Sequence, residues 1–186
     1  FKLGLGLFSV EQLLFLGTGM SWLIFFGYAA INGQLSLAAD DRKLVCLLGL
    51  INPTAYYLIL FAAYDRLPAH IAQPINYTWA ITLALLAVPL LGQRLNKHTL
   101  AGILISYLGV VLLVLTTPAA GGHVDALGIT LALLSTVLWA SYWLLNTRSK
   151  AQPASIMFWS FTVALPLISA ICWYGPGLPT LDTTAF

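Results

Sequence analysis

The chain has 186 residues, of which 60% are apolar and 8% charged, with a formal net charge of +2. Soluble domains carry about 25% charged residues, so this composition excludes a water-soluble globular enzyme, and a mean hydropathy of +0.90 excludes a disordered chain. The small net charge and the lack of a basic stripe exclude nucleic-acid binding.

The spacing of the charges gives the architecture. Charge-free gaps separate Glu11 from Asp40, Lys43 from Asp65, Arg66 from Arg94, Lys97 from Asp125, Asp125 from Arg148 and Lys150 from Asp182. A helix crosses bilayer hydrocarbon in about 20 residues, so each gap holds one span. The fold class predicted is an all-α polytopic membrane protein. Its six transmembrane helices are expected over 9–32, 44–64, 68–92, 99–117, 125–147 and 153–173. Open strands cannot span lipid, and a barrel would show short alternating segments.

The first span, 9–32, leads into a polar loop over 33–42. Midway along the second stand Asn52 and Pro53, followed by Tyr56 and Tyr57. A proline there predicts a kink, with Asn52 available to cap the loosened turn. The kink reads equally as a hinge or as a static bend. Asp65-Arg66-Leu67-Pro68 is a tight turn that puts proline at a helix start.

The third span is the richest in polar groups. His70, Gln73 and Tyr77 lie along one side, Asn76 adjoins it, and Pro74 removes a backbone donor. Pro74 is the third hinge candidate beside Asn52 and Pro53. Polar groups at membrane depth face a cavity or another helix. Gln73, Asn76 and Tyr77, with Tyr56, are candidates to hydrogen-bond a small polar solute. The alternative is interhelical bonding, at about 0.6–2 kcal/mol per bond. His70, at the outer end, reads as a wet interface histidine more readily than as a proton-coupling group.

After a short polar turn over 93–98, the fourth span carries Gly102, Ser106 and Gly109. Small residues at this spacing let helices approach closely, within the subunit or between two copies of a homodimer. Pro118-Ala119-Ala120-Gly121-Gly122 is a flexible linker, and Asp125 caps the fifth span. There Ser135, Trp139, Tyr142 and Asn146 form one stripe. Trp139 and Tyr142 are candidates to stack on a solute, or else form a packing face. Trp143 suits the interfacial belt. No acidic residue lies at mid-span: Glu11, Asp65 and Asp125 are near one face. Cys46 and Cys172 sit alone in apolar runs without ligand spacing, so no metal and no cofactor is expected.

Lys2 and Arg66 fall on one side, whereas Arg42, Lys43, Arg94, Lys97, Arg148 and Lys150 fall on the other. The second side is therefore cytoplasmic. The first span runs inward, so a helix is expected ahead of it. Ser9-Val10-Glu11-Gln12-Leu13-Leu14-Phe15 and Pro153-Ala154-Ser155-Ile156-Met157-Phe158-Trp159 open similar helices five steps apart, as an inverted repeat would.

Leu90-Leu91-Gly92-Gln93-Arg94-Leu95, followed by Gly102, Ile105 and Gly109-Val110, resembles the end of an EamA repeat of the drug/metabolite transporter superfamily. Ala62-Ala63-Tyr64-Asp65-Arg66-Leu67-Pro68-Ala69 resembles the family's turn between its third and fourth helices. Ile75-Asn76-Tyr77-Thr78-Trp79 is similar to the Asn-Tyr-x-Trp stretch of its amino-acid and aromatic-metabolite exporter branch. The resemblance implies a ten-helix transporter of two inverted five-helix repeats in the bacterial inner membrane. Residues 1–117 would be most of the first repeat, 118–124 a linker, and 125–186 the start of the second. The chain would then be a fragment lacking the first helix and the last three. Gln93 stands where the family has Glu, and Ala80 where that branch often has Pro.

The function expected is secondary transport, in the export direction, of amino-acid-like or amphipathic metabolites by alternating access. Its partners are a small solute and the bilayer. An intramembrane enzyme would need convergent catalytic groups, and no Gly-x-Ser-x-Gly, His-Glu-x-x-His or carboxylate pair is present. A structural or assembly subunit would need no polar stripe. No nucleotide-binding loop is present.

Overall fold

The computed structural model describes residues 7–116 and 125–179, and the regular structure among them is helical. The helices are α1 (Val10–Ile31), α2 (Ala39–Gly49), α3 (Tyr56–Arg66), α4 (Ala69–Tyr77), α5 (Trp79–Leu91), α6 (Lys97–Thr116), α7 (Ala126–Asn146) and α8 (Pro153–Tyr174). Five spans are long and apolar enough to cross a membrane: Val10–Ile31, Ala39–Arg66, Ala69–Leu91, Ala126–Asn146 and Pro153–Tyr174. The α6 helix counts as a shorter apolar helix over Lys97–Leu113. Many large apolar side chains point outward, among them Met20, Ile24, Leu104 and Ile105, all more than 60% exposed. Water would penalise such a surface, whereas lipid does not.

Local chemistry sets the helix ends. Ser9 caps α1 through a reciprocal pair, with the Gln12 N–H donating to Ser9 Oγ at 3.3 Å and the Ser9 N–H to Gln12 Oε1 at 3.0 Å. Asn96 caps α6 by accepting from the Thr99 N–H at 2.7 Å, so this helix starts two residues ahead of expectation. Gly92 closes α5 at φ +67°, a left-handed geometry that favours glycine. Asp125 accepts from the Leu127 N–H at 2.8 Å and so precedes α7 as its cap. The linker expected over 118–124 and the end of the fourth predicted span at Thr117 lie outside the described residues.

Two expected boundaries need correction. The second span begins at Ala39 rather than residue 44, taking Asp40, Asp41 and Arg42 out of the predicted loop and, with Lys43, into the helix. Asp40 and Asp41 occupy its first turn, where carboxylates suit the positive end of the helix dipole. The third span is divided at Thr78, whose N–H donates to the Ile75 carbonyl at 3.1 Å in a tightened turn.

The chain forms two compact units, residues 1–54 with 149–186, and residues 55–148. In the first, α8 packs on both α1 and α2. Trp22 Nε1 donates to Thr162 Oγ1 at 2.9 Å, and the Phe25 and Phe161 rings stack at 5.7 Å. Gln12 Nε2 reaches the Gly177 carbonyl at 3.1 Å, while Ser155 Oγ donates to the Gln34 carbonyl. These pairs make α1 and α8 antiparallel. Ser149 Oγ donates to Asp41 Oδ1 at 2.9 Å, and Gly49 lies against Ser160, so α2 runs parallel to α8.

In the second unit α7 is central and touches α3, α4 and α5. Ala63, Leu67, Ile71, Ala72, Ile75 and Ala132 form its buried core. Arg66 at the end of α3 meets Asp125 ahead of α7 at 3.4 Å, so these helices are antiparallel. Within each unit the helix directions therefore alternate as the charge distribution requires.

Close approach occurs at glycines outside the Gly102–Gly109 pattern. A Cβ at Gly49 would sit 2.5 Å from the Ser160 carbonyl oxygen, and one at Gly128 2.7 Å from Leu67 Cγ. A Cβ at Gly102 or Gly109 would meet nothing within 4 Å, so the packing expected of that face is not made among the described residues.

Gly49→Ala would gain helix propensity of about 1 kcal/mol but would collide with backbone, which cannot rotate away. The collision wins, and a net loss of about 1–3 kcal/mol is expected in thermal unfolding of the detergent-solubilised protein, against little change for Gly102→Ala. Asp125 titrates below its usual range, chiefly because of the Leu127 N–H and then the Arg66 guanidinium. Its cap is therefore fully formed above the ordinary carboxylate pKa and lost as pH falls through the lowered folded value. Asp125→Asn should remove that acid-limb loss from the melting temperature profile while keeping the cap.

Candidate functional site

The second span breaks where Pro53 has no N–H to give. Asn52 is extended at φ −139° and ψ 120°, within a wide turn over Leu50–Ala55. The cap at this break differs from expectation: Thr54 Oγ1 donates to the Gly49 carbonyl at 3.0 Å, while the buried Asn52 Oδ1 has no partner. Threonine can fold its hydroxyl back onto its own helix, whereas the extended backbone of Asn52 carries its amide elsewhere.

Tyr56 opens α3 directly after this turn and is 6% exposed. Its hydroxyl donates to Asn76 Oδ1 at 3.4 Å, and Asn76 Nδ2 donates to Ser135 Oγ at 2.9 Å. Ser135 Oγ in turn donates to the Ala132 carbonyl at 2.6 Å. Below this chain Thr82 Oγ1 and Thr136 Oγ1 lie 3.0 Å apart. Each hydroxyl also has a carbonyl on its own helix, Leu133 for Thr136 at 2.7 Å and Thr78 for Thr82 at 3.3 Å, so either can donate to the other. Helices α3, α4, α5 and α7 are thus joined by polar bonds through an apolar interior.

Aromatic rings lie beside this chain. The Tyr56 ring lies 4.6 Å from that of Trp139, which also stacks on Tyr142 at 5.9 Å. Trp79 and Trp143 meet Trp139 edge-on at 6.3 and 6.2 Å, and Tyr57 meets Tyr56 at 4.9 Å. Such pairs contribute about 0.5–1.5 kcal/mol beyond area burial. Trp143 is 42% exposed, as a belt residue would be, yet it also joins the cluster.

Of the six candidate solute residues, the structure brings together Tyr56, Asn76, Trp139 and Tyr142. Gln73 and Tyr77 face away on the exposed side of α4, where Gln73 Nε2 donates to the Tyr77 hydroxyl at 3.2 Å. His70 is exposed on the same helix. Asn146 lies at the end of the α7 stripe with its Oδ1 buried and unpartnered. Sequence reasoning missed Trp79 as a member of the cluster, although it lies within the Asn-Tyr-x-Trp stretch. It also missed Ser135 as the partner of Asn76, and the Thr82–Thr136 bond. Two clefts on the first unit, of ≈ 330 and ≈ 360 Å³, contain none of the candidate residues. No three His, Cys, Asp or Glu side chains come together among the described residues.

The polar chain and the aromatic cluster contain no charged side chain. Residues 1–115 match the model of the EamA-like transporter family. The chain belongs to the EamA-like transporter family. It is also similar to an uncharacterized transporter, YvbV, of Bacillus subtilis (strain 168), with 24% identity over 144 residues. That match covers 71% of this chain and 47% of the relative, so the chain spans about half the length of the curated protein it matches. No solved structure matches significantly. This EamA-type chain is a multi-pass membrane protein of a transporter family.

Thr136→Val removes the hydroxyl that Thr82 bonds while keeping shape. Thr82 retains the Thr78 carbonyl at 3.3 Å, so the expected cost is about 0.6 kcal/mol, read as a small drop in melting temperature.

Proposed function

We propose that the whole protein is a secondary transporter of small neutral or zwitterionic amphipathic metabolites, amino-acid-like in character, working in the export direction. The observation that carries this reading is the buried Tyr56–Asn76–Ser135 chain set against Trp139 and Tyr142 without a charged group. Polar groups at membrane depth are costly and tend to line solute paths. Aromatic faces supply contact for an apolar body, and the amide and hydroxyls supply orientation.

In this reading Tyr56, Asn76, Trp139 and Tyr142 contact the solute, and Gln73 and Tyr77 line the approach along α4. The breaks at Asn52–Pro53 and beside Pro74 act as hinges for alternating access. The architecture is two inverted five-helix repeats, the first over most of 1–117 and the second beginning at 125, in the inner membrane. The open Gly102–Ser106–Gly109 face of α6 suits a further helix, from the same protein or from a second copy.

Counterflow in proteoliposomes of the full-length protein, with a labelled amino-acid and metabolite pool, tests this. Saturable exchange of one solute class is expected, with Asn76→Ala and Trp139→Ala each lowering kcat/KM by at least about tenfold, equivalent to about 1.4 kcal/mol. Tyr77→Ala should show a smaller effect, chiefly on KM. Folded protein that exchanges nothing across pH and sodium gradients would remove the transport reading for that pool, and unchanged variants would move the site elsewhere.

A further inference from the structure

The hydrogen-bond chain has a direction, and the direction has chemical consequences. Serine carries one hydroxyl proton. At Ser135 that proton goes to the Ala132 carbonyl at 2.6 Å. Toward Asn76, 2.9 Å away, the serine oxygen can therefore only accept. The amide must turn its NH2 group to Ser135, because the reverse would set two acceptors against each other in a buried place. Its carbonyl oxygen is consequently fixed toward Tyr56.

That oxygen is poorly satisfied. A carbonyl has two lone pairs, and the Tyr56 hydroxyl reaches it at 3.4 Å, long against about 2.7–2.8 Å for an O–H···O bond. Asn76 and Tyr56 are 7% and 6% exposed, so water does not make up the difference freely. The Tyr56 ring that carries this hydroxyl packs on Trp139, which in turn meets Trp79 and Tyr142. Aromatic faces attract cations and repel anions.

Resting on the transport reading above, we propose that Ser135 is a positioning residue that holds Asn76 as a hydrogen-bond acceptor, so that the site selects solutes through a primary ammonium group attached to an apolar or aromatic body. The Tyr56 hydroxyl occupies the donor position while the site is empty and yields it to the ammonium N–H. A carboxylate end is excluded from this position, because it would meet a carbonyl lone pair. In a zwitterion the ammonium end binds here and the carboxylate end points away.

The test uses the full-length protein and three probes of similar size: phenethylamine, its N,N,N-trimethyl derivative, and 3-phenylpropionate. The trimethyl compound keeps the charge but has no N–H. Binding is read by tryptophan fluorescence and by inhibition of counterflow. Phenethylamine is expected to bind at least tenfold more tightly than the trimethyl compound, with the carboxylate weakest. Ser135→Ala frees the amide to turn, and the amine-to-trimethyl ratio should fall below about threefold. Ser135→Thr, which keeps the hydroxyl, should restore the wild-type ratio. A general loss of packing would weaken all three probes together and leave the ratio alone.

Should Ser135→Ala fail to fold, Asn76→Asp provides the second variant, since it offers an acceptor oxygen in either orientation and should keep or raise the ratio. Equal binding of the amine and trimethyl compounds, tighter binding of the carboxylate, or an unchanged ratio in folded Ser135→Ala would each overturn the proposal. So would a fall of the ratio in Asn76→Asp. If exchange proceeds but no probe competes, the inference fails and transport stands. If folded wild type neither exchanges any solute nor binds a probe, the transport reading fails, and the inference with it.

Discussion

The constraint on which the structure depends is that hydrocarbon offers no hydrogen bonds. Every hydroxyl and amide at membrane depth must find a partner in the protein, or its burial costs several kcal/mol. Most hydroxyls here solve this locally by donating to a carbonyl one turn back on their own helix. Thr162 does so to Phe158, Ser169 to Leu165, Thr130 to Ala126 and Thr116 to Leu112. Once its single proton is used in this way, a hydroxyl presents only lone pairs to its neighbours. An interhelical bond then needs a donor from elsewhere. Asn76 is such a donor, and its pairing with Ser135 follows from proton arithmetic more than from shape.

The same solvent removes the hydrophobic drive for helices to associate, so close fit takes its place. Gly49 against the backbone of Ser160, and Gly128 against Leu67, are where that fit is tightest. Both lie in spans whose polar side chains also bond across or along the interface. Ser160 and Thr18, buried with hydroxyl oxygens that have no partner, mark positions where packing has prevailed over polar satisfaction.

Much of the fold was legible because charge is so unfavourable in lipid. The gaps between Glu11, Asp40, Lys43, Asp65, Arg94 and Lys97 place the spans, and Pro53 marks the broken one. What the pattern could not convey was which neighbour each face meets. His70, Gln73 and Tyr77 do share a side, but the side is exposed, and Asn76, one step round the helix, points to α7. The α6 glycines have the spacing of a packing motif, yet among the described residues nothing lies within 4 Å of a Cβ built on either, while Gly49 and Gly128 make contacts that no local spacing announces. The Thr78 division of the third span was hidden because threonine is compatible with a helix. The start of α2 was missed because charges in a first turn read equally well as loop. That Tyr56, Asn76, Trp139 and Tyr142 stand out was legible from residue type at membrane depth, and the structure groups them in one polar and aromatic cluster. Ser135 appeared in the stripe on α7, but the role proposed for it rests on its distances to the Ala132 carbonyl and to Asn76, which sequence does not give.

The proposed hinge and the proposed site are joined by covalent chain. Tyr56 stands four residues after Asn52, and the turn between them is the irregular part of its span. A helix transmits displacement along its axis with little loss, whereas an extended residue beside a proline can change direction through few dihedral angles. Tyr56 and Tyr57 are the first bulky side chains after this turn, and both belong to the compact unit that holds Asn76. Tyr56 is the residue whose weak bond covers the Asn76 carbonyl. In the proposed cycle, a solute ammonium takes the place of the tyrosine hydroxyl on the Asn76 carbonyl and favours the state in which that hydroxyl has moved aside. Differential binding of this kind is what a ligand needs to shift a conformational equilibrium. The weak Tyr56 bond serves this better than a strong one would. A tight hydroxyl–amide bond would have to be broken at full cost before the solute could bind, whereas a bond of 3.4 Å is exchanged at small cost.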